Sequence, residues 1–110
     1  MRIREFVDYL QKEKLNNKRV FLSGAITSRM DTYREHFNNI AKELDAAGIK
    51  HYNPSEIDES TQWDIAMKAT ILELLNSDIV FMLKGWEVSK GANLEFEIAE
   101  ALNIPIFEED

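Results

Sequence analysis

The sequence predicts an α/β fold in which a small parallel sheet is covered by helices on both faces. Three observations predict it. Short apolar runs with β-branched and aromatic character alternate along the chain with segments of helical periodicity. The runs lack the in-and-out polar alternation of half-exposed strands, as expected of strands buried on both faces. A chain of 110 residues that is 45% hydrophobic suits one domain with one core.

Ile3, Phe6, Val7 and Leu10 recur at helical spacing and predict a first amphipathic helix ending near Lys14 to Asn17, an N-terminal extension over residues 1–17 with a plain polar surface. Arg19 to Gly24 reads as a buried central strand that stops at glycine. In the next helix Thr32 and Glu35 have capping-box spacing, and Tyr33, Phe37, Ile40, Ala41 and Leu44 form an apolar stripe up to Gly48. Ile49 to Asn53 reads as a second strand and Pro54 to Gln62 as polar loop. A third helix follows, with Thr61 and Asp64 spaced for capping and Ile65, Ala69, Leu72 and Leu75 as its expected buried side. Asp78 to Leu83 is the clearest strand, and Ile104 to Phe107 a last one that Pro105 assigns to a sheet edge. The alternation implies right-handed crossovers and a flavodoxin-like or Rossmann-like three-layer sandwich.

Net charge is −7 at pH 7, with a terminal Glu108-Glu109-Asp110 cluster. That balance argues against a nucleic acid polymer or an anionic membrane as partner, while small phosphates, bound by local amides, stay open. Without cysteine there is no disulfide, thiol nucleophile or cysteine-type zinc site, so catalysis has to use oxygen or imidazole groups. His36 and His51 have no second ligand at metal-binding spacing, so neither a metal site nor a cofactor is expected. The first residues lead into a charged amphipathic segment rather than a signal core, and no stretch is long enough to span a bilayer, so a cytoplasmic location is expected.

In such sheets ligands bind beyond the carboxyl ends of the strands, where the strand order reverses. The loops Ser23 to Met30, Asn53 to Glu59 and Lys84 to Ala92 converge there. The last of them leads to Glu95, a carboxylate on the same helical face as Ile98, Ala99 and Leu102, with Glu97 and Glu100 on the other side. Acids are rarely buried without a partner, so Glu95 is either paired, kept for chemistry, or a first-turn acid favoured by the helix dipole. Ser23, Gly24, Ile26 and Thr27 belong to a loop of small residues that suits a phosphate or a sugar, and that a tight strand-to-helix turn explains equally well. Ser89 and Gly91 either face an anion at a helix N-terminus or simply cap it. Arg29 is a candidate phosphate ligand or a solvated loop cation. Trp86, Tyr33 and Tyr52 are each placed to stack on a planar base or to form core edge.

Phe21-Leu22-Ser23-Gly24-Ala25-Ile26, then Phe37 to Leu44 with Gly48 and Asn53-Pro54, then Gly85-Trp86 with Ser89, Gly91, Glu95, Ala99 and Ala101, together resemble the nucleoside 2-deoxyribosyltransferase superfamily. The likeness is closest to its small phage and bacterial branch of unknown function, covers roughly Arg19 to Phe107, and extends in the last third to the 2′-deoxynucleoside 5′-phosphate N-hydrolases. The resemblance implies a flavodoxin-like fold in dimers or larger assemblies, and a glutamate at Glu95 that attacks the anomeric carbon so that the base departs. It also implies that Ser23, Gly24, Ser89 and Gly91 line the sugar and phosphate pocket. The superfamily's acid for the leaving base falls eight residues before Asp78, on Thr70, which hydrogen-bonds but is no acid near neutral pH. The N-hydrolases' hydroxyl from a neighbouring subunit, beyond their last strand, has no counterpart expected so soon after Phe107. The expected function is an N-glycosidase or deoxyribosyltransferase acting on a deoxynucleoside or its monophosphate. The alternatives are a nucleotide-binding module without turnover and a NAD glycohydrolase.

Overall fold

The computed structural model describes residues 1–26 and 32–110. Its elements run α1 (Ile3–Lys12), β1 (Val20–Ser23), α2 (Tyr33–Ala46), β2 (His51–Tyr52), α3 (Trp63–Leu75), β3 (Ile79–Met82), α4 (Lys90–Ala101) and β4 (Ile106–Glu108). The four strands form one parallel sheet in the order β2-β1-β3-β4, a flavodoxin-like arrangement. β4 lies at an edge, as Pro105 requires, and β2 at the other.

Side chains alternate across this sheet with period two and split the core into two layers. Val20, Leu22, Ile79, Phe81 and Leu83 pack against α1 and α2, whose contributions include Phe6, Leu10, Phe37 and Leu44. Phe21, Val80 and Met82 face the other way, onto Leu74 of α3 and Ala92 and Ala99 of α4. The stripe of α1 therefore covers the sheet: Phe6 stacks on Phe81 at 4.6 Å between ring centroids and leans on Phe107 of the edge strand at 5.2 Å.

Three expectations need correction. Thr32 is the N-cap of α2 and Gln62 that of α3, and neither side chain makes a capping hydrogen bond. The second strand shrinks to His51–Tyr52, and the loop after it opens with a short 3-10 helix, Pro54–Glu56, capped by the Asn53 side chain accepting from the Ser55 amide at 3.0 Å. On α3 the buried residues are Met67, Thr70 and Leu74. Ile65, Leu72 and Leu75 are 53, 60 and 53% exposed, and Ala69 is exposed beside them. This helix is apolar nearly all round, so periodicity does not select its inner face. The contact with α4 does: a Cβ at Gly91 would lie 3.0 Å from Met67 Sδ, which leaves room for the thioether and nothing larger.

Helices α1, α2 and α4 end alike. The amides of Leu15, Ile49 and Ile104 bond back to the carbonyls of Leu10, Leu44 and Ala99 at 2.7, 2.9 and 2.9 Å, and the residue before each is left-handed: Lys14 (φ 58°), Gly48 (φ 70°) and Asn103 (φ 58°). Only glycine adopts this conformation freely, and other residues carry about 1 kcal/mol of strain there. Lys14→Gly is expected to raise stability by up to ~1 kcal/mol in urea denaturation. Gly48→Ala, where no atom lies within 4 Å of the new methyl, is expected to lower it by about 1 kcal/mol through conformation alone.

Candidate functional site

Ser23 ends β1 on the same side as Phe21, because strand residues two apart share a face. That side is the α4 side, and Glu95 projects from α4 to meet it. Ser23 Oγ donates to Glu95 Oε1 at 2.6 Å, a length typical of a hydroxyl bonded to a charged oxygen. Glu95 is 5% exposed. It stands in the second turn of a helix that starts at Lys90, beyond the first turn to which the dipole effect is confined, so a dipole does not explain it. Glu97 and Glu100 are exposed as expected; Leu102, which spacing put on the buried face with Glu95, is instead 54% exposed because it lies at the C-cap where the helix ends.

Burial raises the pKa of Glu95 from 4.5 to about 7, against hydrogen bonds from Ser23 and Thr70 that favour the carboxylate. Thr70 has one hydroxyl proton, which reaches the Met67 carbonyl at 3.1 Å or turns to Glu95, and does not serve both at once.

A cavity of about 340 Å³ opens over Glu95, beyond the carboxyl ends of β1 and β2. Its floor and near wall are Gly24, Ile26, Thr70, Ser89, Gly91 and Glu95, all singled out in the sequence. Gly24 has little freedom to change, since a Cβ there would lie 3.0 Å from Leu83 Cβ and 3.1 Å from Phe37 Cζ. Ser89 is the N-cap of α4, its hydroxyl accepting from the Ala92 amide at 3.1 Å, so its oxygen serves the helix as well as the cavity. The wall of Pro54 is held by an amide network in which Asn53 Nδ2 donates to Asn38 Oδ1 at 2.9 Å.

Two predicted contacts are not made. Ser23 is fully buried and touches the cavity only through Glu95. Trp86 lies outside the lining, stacked on Phe96 at 4.9 Å with its indole N–H donating to Glu108 Oε1 at 3.0 Å, because the edge strand draws it away. Tyr52 is likewise occupied, stacked on Phe21 and faced by Arg19. Thr27 and Arg29 lie outside the described residues. His36 is bonded to Glu109 Oε1 at 2.7 Å, and among the described residues no group of three or more acids and histidines could hold a metal ion.

The aromatic walls are Tyr33 and Trp63, and the mouth carries Asp58 and Glu59. Trp63, the first residue of α3, and the two acids escaped the sequence reading, although the loop Asn53 to Glu59 that carries the acids was already directed at the site by topology. Ser60 donates to Asp58 from its amide at 2.8 Å and its hydroxyl at 2.7 Å, and these bonds lower the Asp58 pKa. Glu59 accepts from Arg34 Nε at 3.3 Å.

Over residues 18–108 the chain matches the family described as Domain of unknown function (DUF4406). The chain belongs to that family. The DUF4406 span begins after α1 and takes in all four strands and the whole cavity lining. Comparison with curated proteins and with solved structures returns no match. The DUF4406 description names no activity, so function has to be argued from the cavity. No helix among the described residues is long and apolar enough to cross a membrane.

The raised pKa of Glu95 predicts a cost in stability. The folded protein holds this proton up to about pH 7 and the unfolded chain releases it near 4.5, so stability falls between those values and levels off above. At about 1.4 kcal/mol per pH unit the loss approaches ~3 kcal/mol. Glu95→Gln is expected to abolish this slope and to be the more stable protein at pH 8 in denaturant titrations.

Proposed function

We propose that the chain is a nucleoside 2-deoxyribosyltransferase-like N-glycosidase or transferase of the cytoplasm, acting on a deoxynucleoside or its 5′-monophosphate through Glu95 as nucleophile. The observation that carries this reading is a single buried carboxylate at the floor of a nucleoside-sized cavity. The remaining parts suit the role. Ser23 orients the carboxylate from behind, and the open side of Glu95 faces the cavity. Attack by a carboxylate splits the displacement into two steps around an oxocarbenium-like transition state, and water or a second base resolves the glycosyl ester. Tyr33, one of the three rings considered with Trp86 and Tyr52, or Trp63 supplies a ring for the base to stack on.

Thr70 in place of an acid favours a second reading, a nucleotide-binding module without turnover. It predicts a ligand-dependent rise in Tm with no base release. Chromatographic assay of deoxynucleosides and their 5′-monophosphates separates the two. Release is expected from wild type and is expected to be lost in Glu95→Ala; unchanged release in that variant would refute the nucleophile. The nucleophile has to be ionised, so kcat/KM is expected to rise with pH through about 7 and then level off.

A homodimer through α3 belongs to the same reading. Ile65, Leu72 and Leu75 recur at i, i+7 and i+10 and leave an apolar stripe in water, of the kind that marks interaction sites. Sedimentation is expected to give a dimer for wild type and a folded monomer for Leu72→Glu.

A further inference from the structure

We propose that the cavity takes N-glycosides whose base carries a fixed positive charge, such as an N-alkylated purine or a pyridinium, so that the base leaves as a neutral molecule without being protonated. This rests on Glu95 as the nucleophile.

The first support is the missing acid. A neutral base needs a proton as it departs, and a positioned acid contributes about 10²- to 10⁴-fold to the rate. Among the described residues lining the cavity none supplies it. Asp58 is held ionised by two bonds from Ser60. Glu59 is tied to Arg34, and the Tyr33 hydroxyl points its proton at Glu59 Oε1, 3.5 Å away. Thr70 and Ser89 are alcohols. Glu95 cannot attack the anomeric carbon and protonate the base in the same step.

The second support is charge. Among the described lining residues the side chains that can carry charge are Asp58, Glu59, Glu95 and Tyr33, and each becomes negative when it does. The two aromatic walls already bind cations of the protein itself: Lys90 Nζ lies 4.3 Å from the Trp63 ring centroid, and the Arg34 guanidinium 5.3 Å from that of Tyr33. Although Arg34 offsets Glu59, a cavity walled by rings that accept cations, with Asp58 and Glu95 in its lining, attracts a flat cation.

The step balances with water alone. A Glu95 carboxylate oxygen bonds to the anomeric carbon as the carbon–nitrogen bond breaks, and the released electron pair cancels the charge on the ring. Water then adds to the same carbon, the carboxylate departs, and one proton goes to solvent.

The test follows base release from 2′-deoxyguanosine, from 7-methyl-2′-deoxyguanosine, which differs by the fixed charge, and from nicotinamide riboside, each against a blank without protein. Wild type, Glu95→Gln and Asp58→Asn are compared. The expected result is a kcat/KM for at least one cationic substrate about 100-fold or more above that for 2′-deoxyguanosine. Whether the methylpurine or the pyridinium is cleaved identifies the kind of cation. Asp58→Asn keeps the acceptor for Ser60 and is expected to raise KM several-fold for the cationic substrate with kcat unchanged. Similar rates on neutral and cationic substrates, abolished in Glu95→Gln, would overturn the charge proposal and leave the nucleophile standing. Absence of release from all three would overturn both.

Discussion

The parallel pairing of β1 with β3, Val20 with Ile79 through Ser23 with Met82, is the contact on which the rest of the molecule depends. It joins the two inner strands, and both are buried along their whole length. At one end Arg19 locks the start of β1 to the turn after α3, donating to the Glu73 carbonyl and to Ser77 Oγ at 3.1 Å each, while its amide donates to Asp78 at 2.9 Å. At the other end the Leu83 amide donates to the Ser23 carbonyl at 2.7 Å, which brings the loop leading to α4 beside the last residue of β1. A slip of one residue would turn Ser23 away from Glu95 and Phe21 away from Leu74 together. Site and core therefore share one register.

The same pairing explains why an acid stands where apolar residues surround it. Ala92 and Ala99 flank Glu95 on the inner face of α4, small enough to let the helix lie close to the sheet. In that space Ser23 and Thr70 are the hydroxyls that reach the carboxyl, and among the described residues no cation is one of its partners. A structural ion pair would hold the carboxylate ionised and inert. Here burial raises its pKa to about 7, at a cost to stability.

Helix α1 lies outside the family match, yet Phe6 and Leu10 are fully buried. By covering Phe81 and Phe107 it seals the half of the sheet that α2 leaves open. The edge strand is held in turn by the N-terminal ammonium, which donates to the Glu108 carbonyl at 3.0 Å, and by Glu109, which accepts from the Lys84 amide at 2.9 Å. This extension is part of the core: Phe6 and Leu10 belong to its buried cluster, and Ile3 and Val7, partly buried, pack against it.

Much of this was legible in the residues. Strand and helix periods are local, so the order of elements, the inward stripe of α2 and the inward position of Glu95 on α4 follow from spacing alone, and Ser23 follows Phe21 onto one face by the period of two. Three matters were decided only in three dimensions. The inner face of α3 depends on Gly91 admitting Met67, a contact between helices that no periodicity encodes in a helix with apolar residues on nearly every side. Trp63 rather than Trp86 reaches the cavity because the edge strand captures the Trp86 indole through Glu108, a residue 22 positions away. Thr32 stands at the N-cap of α2 without a capping bond and the N-cap of α3 is Gln62 rather than Thr61, because tertiary packing of the apolar faces sets where these helices begin, and a capping side chain adds only about 1 kcal/mol. Local chemistry determined which residues could build the site, and long-range packing determined which of them meet.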